Sequence, residues 1–287
     1  MSRTDPSAAS PAFDRRVTAA RPDLAAAALR GRVEAARFSE GERRRVVSAV
    51  APLRRSPAPD AALDTEALYG ESVVVYEERD GWAWAQLERD GYVGFLPASA
   101  LGPAGEADHR IVVPWSFGYP GPSIKRPPTL ALPLGARVAI AARDGDFAIT
   151  ADGLHLFDPH VSPLCALARD FVAVAERFLD APYLWGGRTW QGIDCSGLVQ
   201  TALAEAGLPA PRDSDMQEAA LGAPVAFDDD LLGLRRGDLV FWRGHVGIMC
   251  DPATLLHANG YAMQVSREPL RVARDRIGGP ITSIRRL

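Results

Sequence analysis

Gly192-Ile193-Asp194-Cys195-Ser196-Gly197-Leu198-Val199 places a thiol directly behind a helix-capping residue, with an apolar stripe starting three positions later. Asp is among the preferred N-cap side chains. Leu198, Val199, Ala202 and Leu203 then repeat at helical spacing until Gly207 and Pro209, which stop a helix. The expected helix covers 194–206 and carries Cys195 in its first turn. There the helix dipole and the unpaired N–H groups are expected to stabilise a thiolate, lower the thiol pKa and receive an oxyanion.

Such a nucleophile needs an imidazole to take its proton and return it to a leaving amine. Strands are expected at 239–242, 245–250 and 255–258, with a fourth at 262–267. His245 opens one strand and His257 lies late in the next. A turn near Pro252 then brings the two rings to about the same level of an antiparallel pair. Cys195 as nucleophile, His245 as base and His257 as the group that orients it form a triad by role. Asp194 as a plain cap and His257 as a plain strand histidine are the competing readings.

Upstream, Phe171, Val174, Ala175, Phe178 and Leu179 repeat at helical spacing and mark the start of a domain covering 163–287, whose first helix ends at Asp180-Ala181-Pro182. Residues 51–104 change character: short β-rich runs, Ser72 to Tyr76, Trp82 to Leu87 and Gly91 to Pro97, are punctuated by Asp80-Gly81 and Asp90-Gly91. They suit a small barrel. A second unit of this kind is expected over 105–162, with strands at 110–115, 136–142, 147–150 and 154–157. Residues 13–50 are Ala and Arg rich. Pro22-Asp23 ahead of Leu24 to Leu29, and the run from Glu40 to Val50, suggest a helical or extended lead. Residues 1–12, rich in Ser, Ala and Pro, are expected to form a disordered tail.

Several runs together resemble a known family: Pro182-Tyr183-Leu184-Trp185-Gly186-Gly187, the Asp194-Cys195-Ser196-Gly197 stretch, Gly237-Asp238-Leu239-Val240-Phe241 and Gly244-His245-Val246-Gly247-Ile248. They are similar to the successive motifs of NlpC/P60 cysteine peptidases. Leu68-Tyr69-Gly70-Glu71, the Asp-Gly-Trp turn and Gly91 to Pro97 resemble a bacterial SH3 (SH3b) domain. The resemblance implies an α+β, papain-like catalytic domain preceded by one or two SH3-like β-barrels. It implies hydrolysis of the bond between γ-D-glutamate and a diamino acid, diaminopimelate or lysine, in peptidoglycan-derived peptides, with Cys195, His245 and His257 catalytic. It also implies that Asp194, Ser196, Asp213, Ser214 and Tyr183 bind the substrate's free N-terminal L-alanine, and that Glu66 and Tyr92 of the first barrel close that pocket. Two aspartates and two serines suit a cationic amine chemically. Asp213 and Ser214, following Pro209 and Pro211, are equally ordinary loop formers.

Composition narrows the field. The 36 acidic and 32 basic residues give a net charge of −4 without long charge runs, so nucleic acid is not an expected partner. No run reaches the roughly 18 apolar residues of a membrane span, and the N-terminus lacks an apolar core behind a basic leader. Three scattered cysteines make neither a disulfide framework nor a metal knuckle. A cytoplasmic enzyme of murein peptide recycling is therefore expected, with no cofactor or metal. The alternatives are a secreted or phage-like hydrolase of intact wall, a non-catalytic wall-binding protein and an acyltransferase.

Overall fold

The computed structural model describes residues 13–287; the tail expected at 1–12 lies outside them. A seven-stranded antiparallel sheet runs in the order Leu63–Leu68, Val50–Arg54, Val93–Pro97, Trp82–Leu87, Ser72–Arg79, Glu42–Val46, Leu101–Pro103. Its strands curl around Val46, Leu53, Val73, Leu87 and Leu96. Period-two alternation puts Ala83 and Ala85 inside this barrel and Trp84 on its outer face.

The segment before the barrel is extended, and the helices considered there do not form. Leu24–Ala26 is a strand paired in parallel with Arg37–Ser39, followed by one 3-10 turn, Ala27–Leu29. Six alanine-rich residues are too few to nucleate a helix unaided. Here Leu24 and Ala26 instead bury themselves against Trp84, with Arg21 lying 4.3 Å over its indole. Trp84 is thus buried beneath the lead. The arginine run is no helix face either: Arg43 to Arg45 pair with Val74 to Ser72, so the barrel starts at Glu42 and not at 51.

Between 105 and 163 a five-stranded and a three-stranded antiparallel sheet enclose Ile111, Leu132, Ala136, Val138 and Leu156. Their strands include Trp115–Tyr119, Arg137–Val138, Ile140–Asp144, Phe147–Thr150 and His155–Phe157.

The C-terminal part has helices on both faces of a six-stranded antiparallel sheet: Ala223–Pro224, Ile281–Arg286, Leu239–Trp242, His245–Met249, Thr254–Asn259, Gln264–Pro269. On one face lie α1 (Phe171–Glu176) and α2 (Cys195–Glu205), packing Val172, Leu198, Val199 and Leu203, together with Phe178 just past α1, onto Leu239, Phe241, Val246, Ile248 and Leu256. On the other, α4 (Leu270–Ile277) sets Leu270 and Ala273 against Val240, Trp242, Met249 and Leu255. A further helix, α3 (Ser214–Ala220), stands where a loop was expected. Buried Gln217 fixes it by donating to the carbonyls of Ser196 and Pro211, a long-range reason that local propensity does not carry. The α+β expectation holds only in part: this domain combines helices with an antiparallel sheet, but among the described residues strand outweighs helix because residues 24–163 form only strands and 3-10 turns.

Candidate active site

Asp194 caps α2 by accepting from the Gly197 N–H at 2.7 Å, and Cys195 opens the helix, 8% exposed. Gly197 is required because a Cβ there would meet the Gly187 carbonyl at 2.4 Å. The sulfur lies against the strand that His245 opens: the N–H groups of Val246 and Ser196 face it. Those donors favour thiolate, as expected of a helix N-terminus, but burial outweighs them and pushes the thiol up to about 12, with the Asp194 charge adding to the effect. Burial likewise holds His245 down, at about 3, assisted by His257 and Arg276. Both shifts favour the neutral thiol and imidazole, the opposite direction from the low thiol pKa expected of a helix N-terminus.

His245 Nε2 and His257 Nδ1 are 2.8 Å apart, with ring centroids at 5.0 Å. The pairs Ile248↔Leu256 and Met249↔Leu255 set the register, which offsets the two histidines along the strands, so the rings meet diagonally and not at one level. Gly247, with no side chain, leaves the room this contact uses, since a Cβ there would come within 3.2 Å of His257 Cβ. His257 is fully buried, and its Nε2 lies 2.8 Å from Glu268 Oε1. Glu268 also pairs with Arg276 of α4.

At the helix side the organising residue is Arg212, fully buried and absent from the sequence-based set. It donates to both Asp194 oxygens at 2.9 and 2.7 Å, to Ser196 Oγ at 2.9 Å and, across the domain boundary, to Thr65 Oγ1 at 2.8 Å. Asp194 also accepts from the N–H of Gly186, a left-handed residue at φ +79° packed on Leu63 of the barrel. Both Asp194 oxygens are thus committed to protein donors.

Other predicted residues converge from the barrel and α3. Tyr92 donates to Asp213 Oδ2 at 3.1 Å, and Arg16, carried in by the N-terminal segment, reaches the same oxygen at 2.8 Å while also pairing with Asp215. Burial raises Asp213, and Arg212 and Arg16 oppose that. Glu66 Oε2 accepts from the Arg188 N–H at 2.8 Å, and burial raises this carboxyl too. The Tyr183 hydroxyl, pushed up to about 12 by burial, sits within the fields of Cys195 and Asp194. Ser214 opens α3 beside Asp213. Of the ten predicted residues, the structure brings His245 to His257, Asp194 and Ser196 to a shared Arg212, and Tyr92 to Asp213, while Glu66 contacts Arg188 and Ser214 only opens α3. Arg212 was signalled by its place directly before Asp213-Ser214; Arg16 and Glu268 carried no local signal.

A thiol at a helix start beside the strand that carries an imidazole pair is an arrangement suited to Cys–His thiol chemistry. Residues 180–275 match the NlpC/P60 family, and residues 53–101 match the bacterial dipeptidyl-peptidase SH3 domain. The chain is thus built on the NlpC/P60 fold with an SH3-like N-terminal domain. It is 26% identical over 249 residues to a γ-D-glutamyl-L-lysine dipeptidyl-peptidase of Bacillus cereus, covering 72% of this chain and 71% of that protein. A Bacillus subtilis protein of the same name is 28% identical over 227 residues, covering 69% and 73%. A probable endopeptidase of Corynebacterium glutamicum is 34% identical over 116 residues, 39% of this chain and about half (53%) of that one. The crystal structure of an NlpC/P60 family protein from Bacillus cereus superposes with a TM-score of 0.70 at 21% identity, over 85% of this chain and 99% of that one, and so shares the fold.

Proposed function

We propose that the protein is a cysteine peptidase that hydrolyses the γ-D-glutamyl–diamino acid bond of small peptidoglycan stem peptides bearing a free N-terminal L-alanine. The observation that carries this reading is a polar seam between two domains: Tyr92 of the barrel donates to Asp213, and Arg212 beside it ties Thr65 of the barrel to Asp194 and Ser196 at the start of the helix that bears Cys195. The α2 helix against the His245 sheet corresponds to a papain-like arrangement. His245 takes the Cys195 proton as the sulfur adds to the γ-carbonyl, which suits a pair that rests neutral. The Cys195 N–H, a first-turn donor left open by the helix, faces the oxyanion. The imidazolium then protonates the leaving amine, and water activated by the same ring releases the dipeptide.

The amine is assigned to Glu66, Asp213 and the Tyr92 hydroxyl, with Ser196 and Ser214 beside them. Asp194, whose oxygens are already occupied, acts by holding the loop and helix together. The substrate is a soluble peptide, consistent with a place in murein peptide recycling and with the cytoplasmic setting expected from the cysteines. Among the described residues no helix is long and apolar enough to cross a membrane.

The test is mass-spectrometric digestion of L-Ala-γ-D-Glu-diaminopimelate and its lysine counterpart, beside their N-acetylated twins and intact sacculi, with wild type and Cys195→Ala. Cleavage of the free peptides alone, abolished in Cys195→Ala, is expected. Equal cleavage of acetylated peptides removes the amine assignment, and release from sacculi points to a wall hydrolase.

A further inference from the structure

The mechanism needs a bare nitrogen on His245 facing the thiol, and the hydrogen bonds behind the histidines decide which nitrogen that is. We propose that Glu268, held by Arg276, is a positioning residue that fixes the tautomers of both His257 and His245 and so presents His245 Nδ1 to Cys195 as a base.

The argument runs outward from the carboxylate. A carboxylate only accepts, so the 2.8 Å contact between Glu268 Oε1 and His257 Nε2 places the His257 hydrogen on Nε2. Burial lowers the pKa of His257, keeping the ring neutral, and its Nδ1 is then bare. That nitrogen is 2.8 Å from His245 Nε2, which must be the donor. A neutral His245 with hydrogen on Nε2 has its lone pair on Nδ1, the ring nitrogen left for the thiol. Every hydrogen in the relay follows from the acceptor at its end. Without that acceptor the relay can reverse: His257 Nδ1–H donates to His245 Nε2, and His245 turns an N–H toward the sulfur.

Position 268 is fixed for this task. It lies on Gln264–Pro269 two residues beyond Ser266, the partner of His257, and so on the same face of the sheet. Arg276, from the last turn of α4, pairs with Glu268 while its guanidinium lies 4.4 Å from the centre of the exposed Tyr261 ring. The groups that bear on the relay are thus the charged Glu268 and Arg276 behind it and the titratable Cys195 thiol in front.

The inference rests on Cys195 and His245 being nucleophile and base, but not on which peptide is cut. It is tested with Glu268→Ala, Glu268→Gln and His245→Ala by two substrate-free readouts: long-range ¹H–¹⁵N spectra of the histidines, which report tautomers, and iodoacetamide alkylation of Cys195 against pH. For wild type, both rings are expected as Nε2–H tautomers, with a neutral-pH plateau in alkylation. In Glu268→Ala, His245 should shift toward Nδ1–H. Alkylation at pH 7 and kcat should each fall about 10–100-fold, as for loss of other outer hydrogen-bond partners, with KM within twofold and the plateau replaced by a steady rise with pH. Glu268→Gln, which keeps an acceptor oxygen, should restore most of the rate. Wild-type tautomers and profile in a folded Glu268→Ala, or a Glu268→Gln as impaired as Glu268→Ala, overturn the proposal. A wild-type profile in His245→Ala overturns the base assignment itself.

Discussion

Replacing Arg212 by Met should cost about 4 kcal/mol, the middle of the range of about 3–5 kcal/mol for removing one partner of a buried ion pair. The guanidinium is 1% exposed, and its partner Asp194 7%. Methionine fills similar space but leaves the Asp194 carboxylate with the Gly186 and Gly197 N–H groups and the Ser196 hydroxyl as its donors. At roughly 2–4 °C per kcal/mol for a chain of this size, the melting temperature should drop by about 8–16 °C. Lysine at 212 keeps the charge but not the planar fork that spans two oxygens and a hydroxyl, so Arg212→Lys should lose about half as much. The assay is thermal melting by circular dichroism, with Cys195→Ala as a near-neutral control and a double-mutant cycle with Asp194→Asn. The coupling energy should exceed about 2 kcal/mol, within the range found for contacting charged residues. An Arg212→Met protein melting within about 2 °C of wild type, with kcat/KM unchanged, would refute this reasoning.

Further outcomes follow from the same geometry. His245 and His257 are both held below the ordinary histidine value of 6.5, so the folded state binds fewer protons than the unfolded chain from about pH 6.5 down toward 3; stability should decline as pH falls through that window, and His245→Asn should flatten the Tm profile between pH 7 and 5. The raised carboxyls Glu66 and Asp213 work in the opposite sense at the acid end, so an unchanged slope in His245→Asn would count against the histidine account. Glu66→Gln should raise KM for peptides with a free amine at least tenfold with a smaller change in kcat, measured by steady-state kinetics; an unchanged KM takes Glu66 out of the amine site. Arg16→Ala should weaken the same subsite more mildly, about two- to fivefold in KM, because Tyr92 still holds Asp213; a KM equal to wild type would make Arg16 a tether only.

The part of the fold written in local signals was legible. The Asp194 cap, the α2 stripe and the strand runs at 239–242 and 245–249 are short-range patterns, and they locate the proposed nucleophile and base because Cys195 and His245 each sit at an element's first residue. The failures share a cause in tertiary contacts. Leu24 to Leu29 carries helix propensity but is claimed by Trp84, α3 forms because Gln217 is bonded to α2's first turn, and the arginine run is pinned to Val73 and Val74. Arg16 and Glu268 were invisible for the same reason. One lies 197 residues from Asp213, and the other meets His257 only through the register of a hairpin.

The nucleophile-bearing helix is held from both ends by the β units. Arg212 joins its start to Thr65 of the first barrel, and Arg110 of the second unit donates to Glu205 at its end at 2.8 Å. Arg188, also buried, pairs with Glu71 across the same boundary. Cutting the chain at residue 163 would strip the partners from Arg188 and Glu205 and expose to water a seam that the whole chain keeps buried and paired. For protein engineering the catalytic part is therefore not a portable cassette: grafts, permutations and fusions have to carry all three bodies as one unit, or else redesign the seam before moving the peptidase.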